Sequence, residues 1–234
     1  MQKIVRPDGN MRKKCAIRAS FETSDTIGHT IARPMPPVTQ ALLIATVGVF
    51  LLQDMAGPAL FAWFALWPPG APGLPEFQLW QLVTYGFLHG SLTHIFFNML
   101  ALYMFGSDIE RLFGSRFFLQ YYFACLVTGA AAHLAVAAWM GAPPAPTVGA
   151  SGAMFGLLLA FGWYFPRRRV ILLFPPIPMP ARVFVTVYGL IELALGVTGT
   201  GRGVAHFAHL GGMLGGFLMI QYRRGGFPFG PWRR

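Results

Sequence analysis

Charged residues are distributed very unevenly along this chain, and this constrains its fold more than any other feature. Between Asp54 and Asp108 the only charged residue is Glu76. A stretch this long with so little charge cannot form the surface of a water-soluble domain. Charged residues make up 11% of the whole chain, whereas soluble domains carry about 25%. Because only helices satisfy their backbone within each segment, we predict an all-α protein that crosses the membrane several times.

Six segments predict transmembrane helices, each close to the roughly 20 apolar residues that a span requires. They cover residues 37–56, 91–110, 117–140, 149–165, 181–198 and 204–222. The apolar run 59–67 is too short to cross the bilayer and is followed by Pro68 and Pro69, so we expect it to lie at the membrane interface. The predicted organisation is a membrane domain, 37–222, between a flexible basic tail, 1–36, and a basic C-terminal tail, 223–234.

The positions of Lys and Arg predict the orientation of these six spans. All of the 18 Lys and Arg residues except Arg202 fall in the two tails or in alternate connections between spans. Cytoplasmic segments are enriched in these residues, so both termini are predicted to be cytoplasmic. The formal net charge of +10 does not predict a nucleic-acid partner, because the basic clusters lie where they anchor topology. Cys15 and Cys125 predict no disulfide, and no oligomeric state is predicted.

Polar side chains at membrane depth are costly and therefore mark candidate functional residues. Four of them come from three spans that all run inward from the outer face. Ser151 and His209 are a candidate nucleophile and base, and His94 and Asn98 share one helical face. At 1.5 Å per residue, all four lie within roughly 5–10 Å of the outer boundary of the hydrocarbon.

Glycine pairs predict close packing around these residues. Gly152 and Gly156 form a small-xxx-small face on the fourth span, and the sixth span carries two such pairs, Gly211 with Gly215 and Gly212 with Gly216. Such pairs allow two helix backbones to approach closely. We expect this packing to bring Ser151 within hydrogen-bond distance of His209.

Four segments of the sequence resemble the rhomboid family of intramembrane serine proteases. They are FLHGSLTHIFFNM (87–99), GSDIERLFGSRFFLQYY (106–122), VGASGAMFGL (148–157) and AHFAHLGGMLGG (205–216). The resemblance implies a six-helix bundle whose Ser–His dyad opens to the extracytoplasmic side, with Ser151 as nucleophile and His209 as general base. It also implies that Asn98 and His94 contribute to the oxyanion hole, together with the Ser151 backbone N–H, and that Gly149 lies in the loop before the nucleophile.

Two departures from the family pattern are visible. Phe155 occupies a position that is often Tyr in the family, and the first loop lacks the Trp-Arg pair that some members carry. We also predict a dyad rather than a triad, because we expect no carboxylate at the depth of His209.

The resulting functional hypothesis is an intramembrane serine endopeptidase in a bacterial inner membrane. It needs neither cofactor nor metal, and its substrates are transmembrane segments of other proteins, cut near the outer face through an acyl-enzyme.

Two alternatives stay open at this point. One is a non-catalytic rhomboid-like scaffold for client helices. The other is a transporter with a metal path through His89, His94, His206 and His209, disfavoured because no carboxylate is expected beside these histidines.

The other polar residues in the spans have no predicted catalytic role. His206 is interpreted as a structural or interfacial neighbour. His133 and Glu192 are expected to be hydrogen-bonded inside the bundle rather than catalytic, although the sequence identifies no partner for either. Asp108 and Glu110 are interpreted as a structural cap at the cytoplasmic side.

Overall fold

The computed structural model describes residues 34–171, 176–198 and 205–225, and these are mostly helical. The helices are α1 (Pro37–Ala56), α2 (Pro58–Phe64), α3 (Gln81–Thr84), α4 (Leu92–Ala101), α5 (Ser107–Phe113), α6 (Ser115–Trp139), α7 (Ser151–Tyr164), α8 (Ala181–Thr198) and α9 (His206–Arg223). Between α7 and α8, strands β1 (Arg169–Ile171) and β2 (Pro178–Pro180) pair antiparallel. The predicted tails 1–36 and 223–234 lie outside the described residues, except for 34–36 and 223–225.

Each of the six predicted spans contains helix. The second is not one regular helix, because the π-helical turn Leu102–Gly106 joins α4 to α5. Among the described residues, α6 and α8 are long and apolar enough to cross a membrane, and residues 37–53 of α1 and the whole of α7 are apolar but shorter. Helix α2 begins at Pro58 after Gly57 and has no buried residue.

The surface of the bundle carries many large apolar side chains. Trp139 and Met55 are 85% and 84% exposed, and the same holds, to a lesser degree, for Ile44, Leu51, Leu190 and Val197. A soluble monomer rarely exposes so much apolar surface, whereas helices that face lipid do so along their length.

The core is built around α6, which packs against both α7 and α9. Its fully buried side chains are Phe118, Tyr121, Tyr122, Cys125, Leu126 and Ala130. Two buried tyrosine hydroxyls donate hydrogen bonds to helix carbonyls, Tyr121 to Gly156 O at 2.6 Å and Tyr85 to Leu126 O at 2.9 Å. These bonds fix α7 and the turn after α3 against α6, because a buried hydroxyl is stable only with a partner.

Glycines on α9 face two different helices. A Cβ on Gly212 would overlap the carbonyl oxygen of Gly152, so α7 and α9 meet backbone to backbone at this pair. A Cβ on Gly216 would first collide with the Tyr121 hydroxyl of α6 and would also lie 3.3 Å from Gly156 Cα of α7.

The other glycine pair of α9 has a different partner. Gly211 and Gly215 face α6, where a Cβ on either would collide with Ala132 or Thr128. Both pairs are packing positions, but Gly211 and Gly215 hold α9 to α6 rather than to α7.

A buried carboxylate closes the end of the bundle where α1 begins. Glu110, 2% exposed, accepts hydrogen bonds from the backbone N–H groups of Val38 and Thr39 at 3.0 and 2.7 Å. The hydroxyls of Thr39 and Ser115 also donate to it, at 2.7 and 2.6 Å. Glu110 thus caps the N-terminus of α1, where unpaired N–H groups favour an anion.

Candidate active site

Helix α4 begins at a local cap that sets the direction of two candidate residues. Ser91 Oγ accepts from the backbone N–H of His94 at 3.1 Å, and the helix follows. One turn later the Asn98 side-chain amide donates to His94 O at 3.0 Å. Asn98 is 5% exposed, so His94 and Asn98 project from one helical face into the interior side of α4.

His94 is held on both sides by loop residues. Its Nδ1 accepts from the Gly90 N–H at 3.5 Å. The ring of His89 packs edge-on against it with centroids 4.9 Å apart. His89 lies before α4 and is 1% exposed; burial, and then the nearby His94, lower its pKa to about 4, so its ring is neutral.

The loop before α7 brings Ser151 to the same place. Thr147 pairs with Leu66 through two backbone hydrogen bonds, and the Gly149 N–H donates to Tyr85 O at 2.9 Å. Gly149 has a φ of +121°, a conformation that side chains rarely permit. A Cβ there would lie 2.6 Å from His94 Nε2, so the backbone of this loop packs directly on the imidazole. Ser151 is the first residue of α7.

Helix α9 supplies the imidazole. His209 Nε2 lies 2.8 Å from Ser151 Oγ, which is a hydrogen bond between side chains of α9 and α7. Phe155, one turn after Ser151, stacks on the His209 ring with centroids 4.3 Å apart and planes 7° from parallel. An aromatic ring therefore packs on His209 at this position, without the hydroxyl that a Tyr would carry.

A carboxylate lies behind His209, which corrects one prediction. Glu192 of α8 accepts a hydrogen bond from His206 Nδ1 at 2.7 Å, and the same oxygen lies 2.8 Å from His209 Nδ1. The expectation that no carboxylate reaches the depth of His209 is therefore wrong. The expectation that Glu192 is hydrogen-bonded inside the bundle is confirmed. Its partner His206, interpreted from the sequence as a structural or interfacial neighbour, is 7% exposed.

The transporter alternative was disfavoured because no carboxylate was expected beside its histidines, and Glu192 now supplies one. Glu192, His206 and His209 each offer a ligand atom, and these atoms lie within 4.8 Å of one another. His89 and His94 are not part of this cluster. The cluster thus contains two of the four histidines of the transporter alternative, together with the carboxylate that this alternative lacked.

His133 also has a partner that the sequence did not reveal. Its Nε2 lies 2.8 Å from Thr147 Oγ1, which ties α6 to the loop before Ser151. His133 therefore holds the loop before Ser151 against α6.

An open cavity of about 1190 Å³ lies beside the candidate residues. It is lined by polar and apolar side chains, which include Ser151, His209, His94, Asn98, Phe97 and Met104. A hydroxyl bonded to an imidazole, with amide and imidazole donors on the facing helix, is an arrangement suited to attack on a carbonyl carbon.

Comparison with known proteins decides the family. Residues 76–225 match the model of the rhomboid domain, and this is more than half of the chain. The chain belongs to the rhomboid family. The matched region contains all of the polar residues around the cavity, so the rhomboid domain and the candidate site coincide. Rhomboids are membrane-embedded proteins, in agreement with the apolar surface of this bundle.

Several rhomboid proteins resemble the chain over much of its length. It is 33% identical to rhomboid protease GluP of Bacillus subtilis over 60% of this chain and 25% of that protein. It is 28% identical to rhomboid protease GlpG of Klebsiella pneumoniae over 81% of this chain and 64% of that one. The mitochondrial RHOMBOID-like protein 12 of Arabidopsis thaliana is 31% identical over 65% and 49%. The chain therefore spans between a quarter and just under two thirds of the length of these relatives.

Proposed function

We propose that this rhomboid is an intramembrane serine endopeptidase with Ser151 as nucleophile and His209 as general base. The observation that carries the proposal is the 2.8 Å contact between Ser151 Oγ and His209 Nε2 at the edge of an open cavity. Two relatives with the rhomboid domain are named as proteases, GluP and GlpG, which supports the same activity.

The reaction follows from the positions of these groups. His209 takes the hydroxyl proton as Ser151 Oγ attacks the peptide carbonyl, and the imidazolium then gives that proton to the leaving amine. The acyl-enzyme ester that remains is hydrolysed by water, with His209 acting again as base. The open cavity admits that water to a depth where lipid excludes it.

Three groups would donate hydrogen bonds to the developing oxyanion. The Ser151 N–H is in the first turn of α7, where helix N–H groups have no intrahelical partner. Asn98 uses one amide hydrogen for His94 O and keeps a second, and the His94 imidazole lines the same cavity. Such donors stabilise the tetrahedral intermediate more than the substrate, which lowers the barrier.

We further propose that six helical segments cross the membrane with both termini in the cytoplasm. His94, Ser151 and His209 all lie near the N-terminal ends of their helices. At the opposite end, Arg168 pairs with Asp108 at 2.6 Å, and Arg223 donates to Phe113 O at 3.0 Å. Basic residues gather on the cytoplasmic side, so the cavity opens toward the outer face. The membrane that fits this arrangement is the inner membrane of a bacterium.

The substrate class follows from the geometry of a buried peptide bond. A transmembrane helix pairs its carbonyls internally, so it must unwind before Ser151 reaches one. We therefore propose single transmembrane segments with helix-destabilising residues near their outer end. The test uses purified protein in detergent and two model segments that differ only in a Gly-Pro or Leu-Leu pair there. We expect cleavage of the first and at least about tenfold less of the second; no cleavage of either would refute the proposal.

Replacing Asn98 with alanine is expected to reduce kcat by roughly 10²–10³-fold, because one oxyanion donor is lost. KM should change by less than about threefold, since the amide acts mainly on the transition state. Steady-state kinetics on the cleavable segment measure both constants, with the apparent unfolding temperature as a check on the fold. A kcat close to that of the unmodified protein would remove Asn98 from the oxyanion hole.

A further inference from the structure

A buried carboxylate contacts the candidate general base from the side opposite the nucleophile. Glu192 is 9% exposed and lies on α8, a helix that contributes neither Ser151 nor His209. An ionisable residue in the interior of such a bundle is expensive and is retained where it is paired. Here both partners are histidines of α9.

We propose that Glu192 is a positioning residue for His209, so that hydrolysis runs on a Ser151–His209–Glu192 triad in which His206 holds the carboxylate. This inference rests on the proposed serine endopeptidase activity and extends it, because the resemblance to rhomboids implies only a dyad.

The two nitrogens of His209 face different partners. Nε2 lies 2.8 Å from Ser151 Oγ, and Nδ1 lies 2.8 Å from Glu192 Oε2. A carboxylate beside Nδ1 keeps the proton on that nitrogen, which leaves the Nε2 lone pair free to accept the hydroxyl proton. When the imidazolium forms, the negative charge lies in contact with it. Stacked Phe155 restricts the tilt of the His209 ring.

The contact with His209 is close but not linear. The Nδ1–H is not directed at Glu192 Oε2, so the pair is within contact distance without a formed hydrogen bond. Hydrogen bonds of catalytic groups are often poorly aligned without substrate and tighten when it binds, so this geometry fits a triad at rest.

His206 supplies the anchor that such a carboxylate needs. Its Nδ1 donates to the same Oε2 at 2.7 Å, and its ring stands at 88° to that of His209. Gly196 of α8 lies against His206 and Phe207, where a Cβ would come within 3.1–3.3 Å, so α8 and α9 are in close contact at this level. His206 therefore holds the Glu192 carboxylate by a hydrogen bond, in a position where the same carboxylate contacts His209.

No other carboxylate among the described residues contacts His209. The remaining titratable groups close enough to interact with it are His94 and His133, and neither carries negative charge. Asp108 and Glu110 are engaged at the opposite end of the bundle. Glu192 is thus the one described group that can stabilise the imidazolium by charge.

A bound metal is the competing interpretation of the same three side chains, since their ligand atoms lie within 4.8 Å of one another. His206 Nδ1 forms a hydrogen bond of 2.7 Å with Glu192, and His209 Nδ1 lies within hydrogen-bond reach of the same oxygen at 2.8 Å. In addition, a metal on Nδ1 of His209 would oppose protonation of the ring during attack. The contacts therefore favour a triad, and a chelator distinguishes the two.

The test compares Glu192→Gln, Glu192→Asp and the unmodified protein in steady-state cleavage of the model segment. We expect Glu192→Gln to lower kcat by roughly 10³-fold with KM within about threefold, because Gln can hold the wrong tautomer and carries no charge. Glu192→Asp should recover at least about tenfold of that loss, since the charge returns. Glu110→Gln is the matched control: it removes a buried carboxylate remote from the cavity and should lower the unfolding temperature with kcat retained.

Each result has a defined meaning. A Glu192→Gln protein with near-normal kcat, or equal losses for Gln and Asp with a matching fall in unfolding temperature, overturns the triad. Loss of cleavage in EDTA that added Zn²⁺ restores overturns it in favour of a metal site. If the unmodified protein does not cleave, or if Ser151→Ala still does, the serine endopeptidase proposal itself fails, and the triad fails with it.

Discussion

Replacing Ser151 with alanine is expected to reduce cleavage of a transmembrane segment by roughly 10⁴-fold or more, because the attacking oxygen is removed. His209→Ala should cost a similar factor, since the base and the nucleophile act as a unit and their losses do not add. Ser151 Oγ and His209 Nε2 already share a hydrogen bond of 2.8 Å, so neither has a substitute in contact. Cleavage of a purified model segment, followed by gel and mass spectrometry, measures both effects.

The matched control for this experiment is Ser107→Ala. Ser107 begins α5, its side-chain oxygen is buried without a hydrogen-bond partner, and it does not border the cavity. Removing an unpaired buried hydroxyl is close to neutral or stabilising, so activity and unfolding temperature should stay near those of the unmodified protein. Substantial cleavage by Ser151→Ala, with Ser107→Ala normal, contradicts the assignment of the nucleophile.

The second large effect is expected from Gly212→Ala, which adds one methyl group between two helix backbones. The Cβ would overlap the carbonyl oxygen of Gly152, and a backbone cannot move aside as a flexible side chain can. Helices α7 and α9 must separate, at a cost of about 3 kcal/mol or more. Because Ser151 lies one residue before Gly152 and His209 three before Gly212, the same separation breaks their hydrogen bond. We expect a lower unfolding temperature in detergent together with loss of cleavage.

Gly48→Ala is the control for this substitution. Gly48 lies inside α1, and a Cβ there meets no atom within 4 Å. Alanine is favoured over glycine in a helix interior by roughly 1 kcal/mol, so this variant should be slightly more stable and fully active. If Gly212→Ala behaves in the same way, the close contact between α7 and α9 is not what holds the site together.

Much of the fold could be predicted from the sequence because charge and apolar length are themselves the constraints on a membrane helix. The six predicted segments all contain helix, and α1 and α8 keep the bounds expected for them. The π-helical turn Leu102–Gly106 could not be predicted, since it has no proline to mark it and arises within an apolar run. Short helices and turns between spans depend on packing rather than on composition.

The depth of the candidate residues in the membrane could be predicted from the sequence, but the contact between Glu192 and His209 could not. Ser151 and His209 stand near the starts of helices that run in one direction, so counting residues places them at one level. The role of Glu192 could not be predicted, because it depends on which face of α8 packs against α9. A single sequence does not reveal that face. A signal existed nevertheless. Glu192 lies six residues before the end of α8 and His209 three after the start of α9, which puts both within roughly 10 Å of the same end.

The central claim, that Ser151 is a nucleophile activated by His209, is tested most directly by labelling with a fluorophosphonate. This reagent phosphonylates an activated serine hydroxyl and leaves unactivated ones unmodified, and peptide mass spectrometry locates the modified residue. We predict a single modification on Ser151 in the detergent-purified protein and none in a folded His209→Ala variant. Labelling at another serine, or equal labelling of Ser151 without His209, would contradict the account.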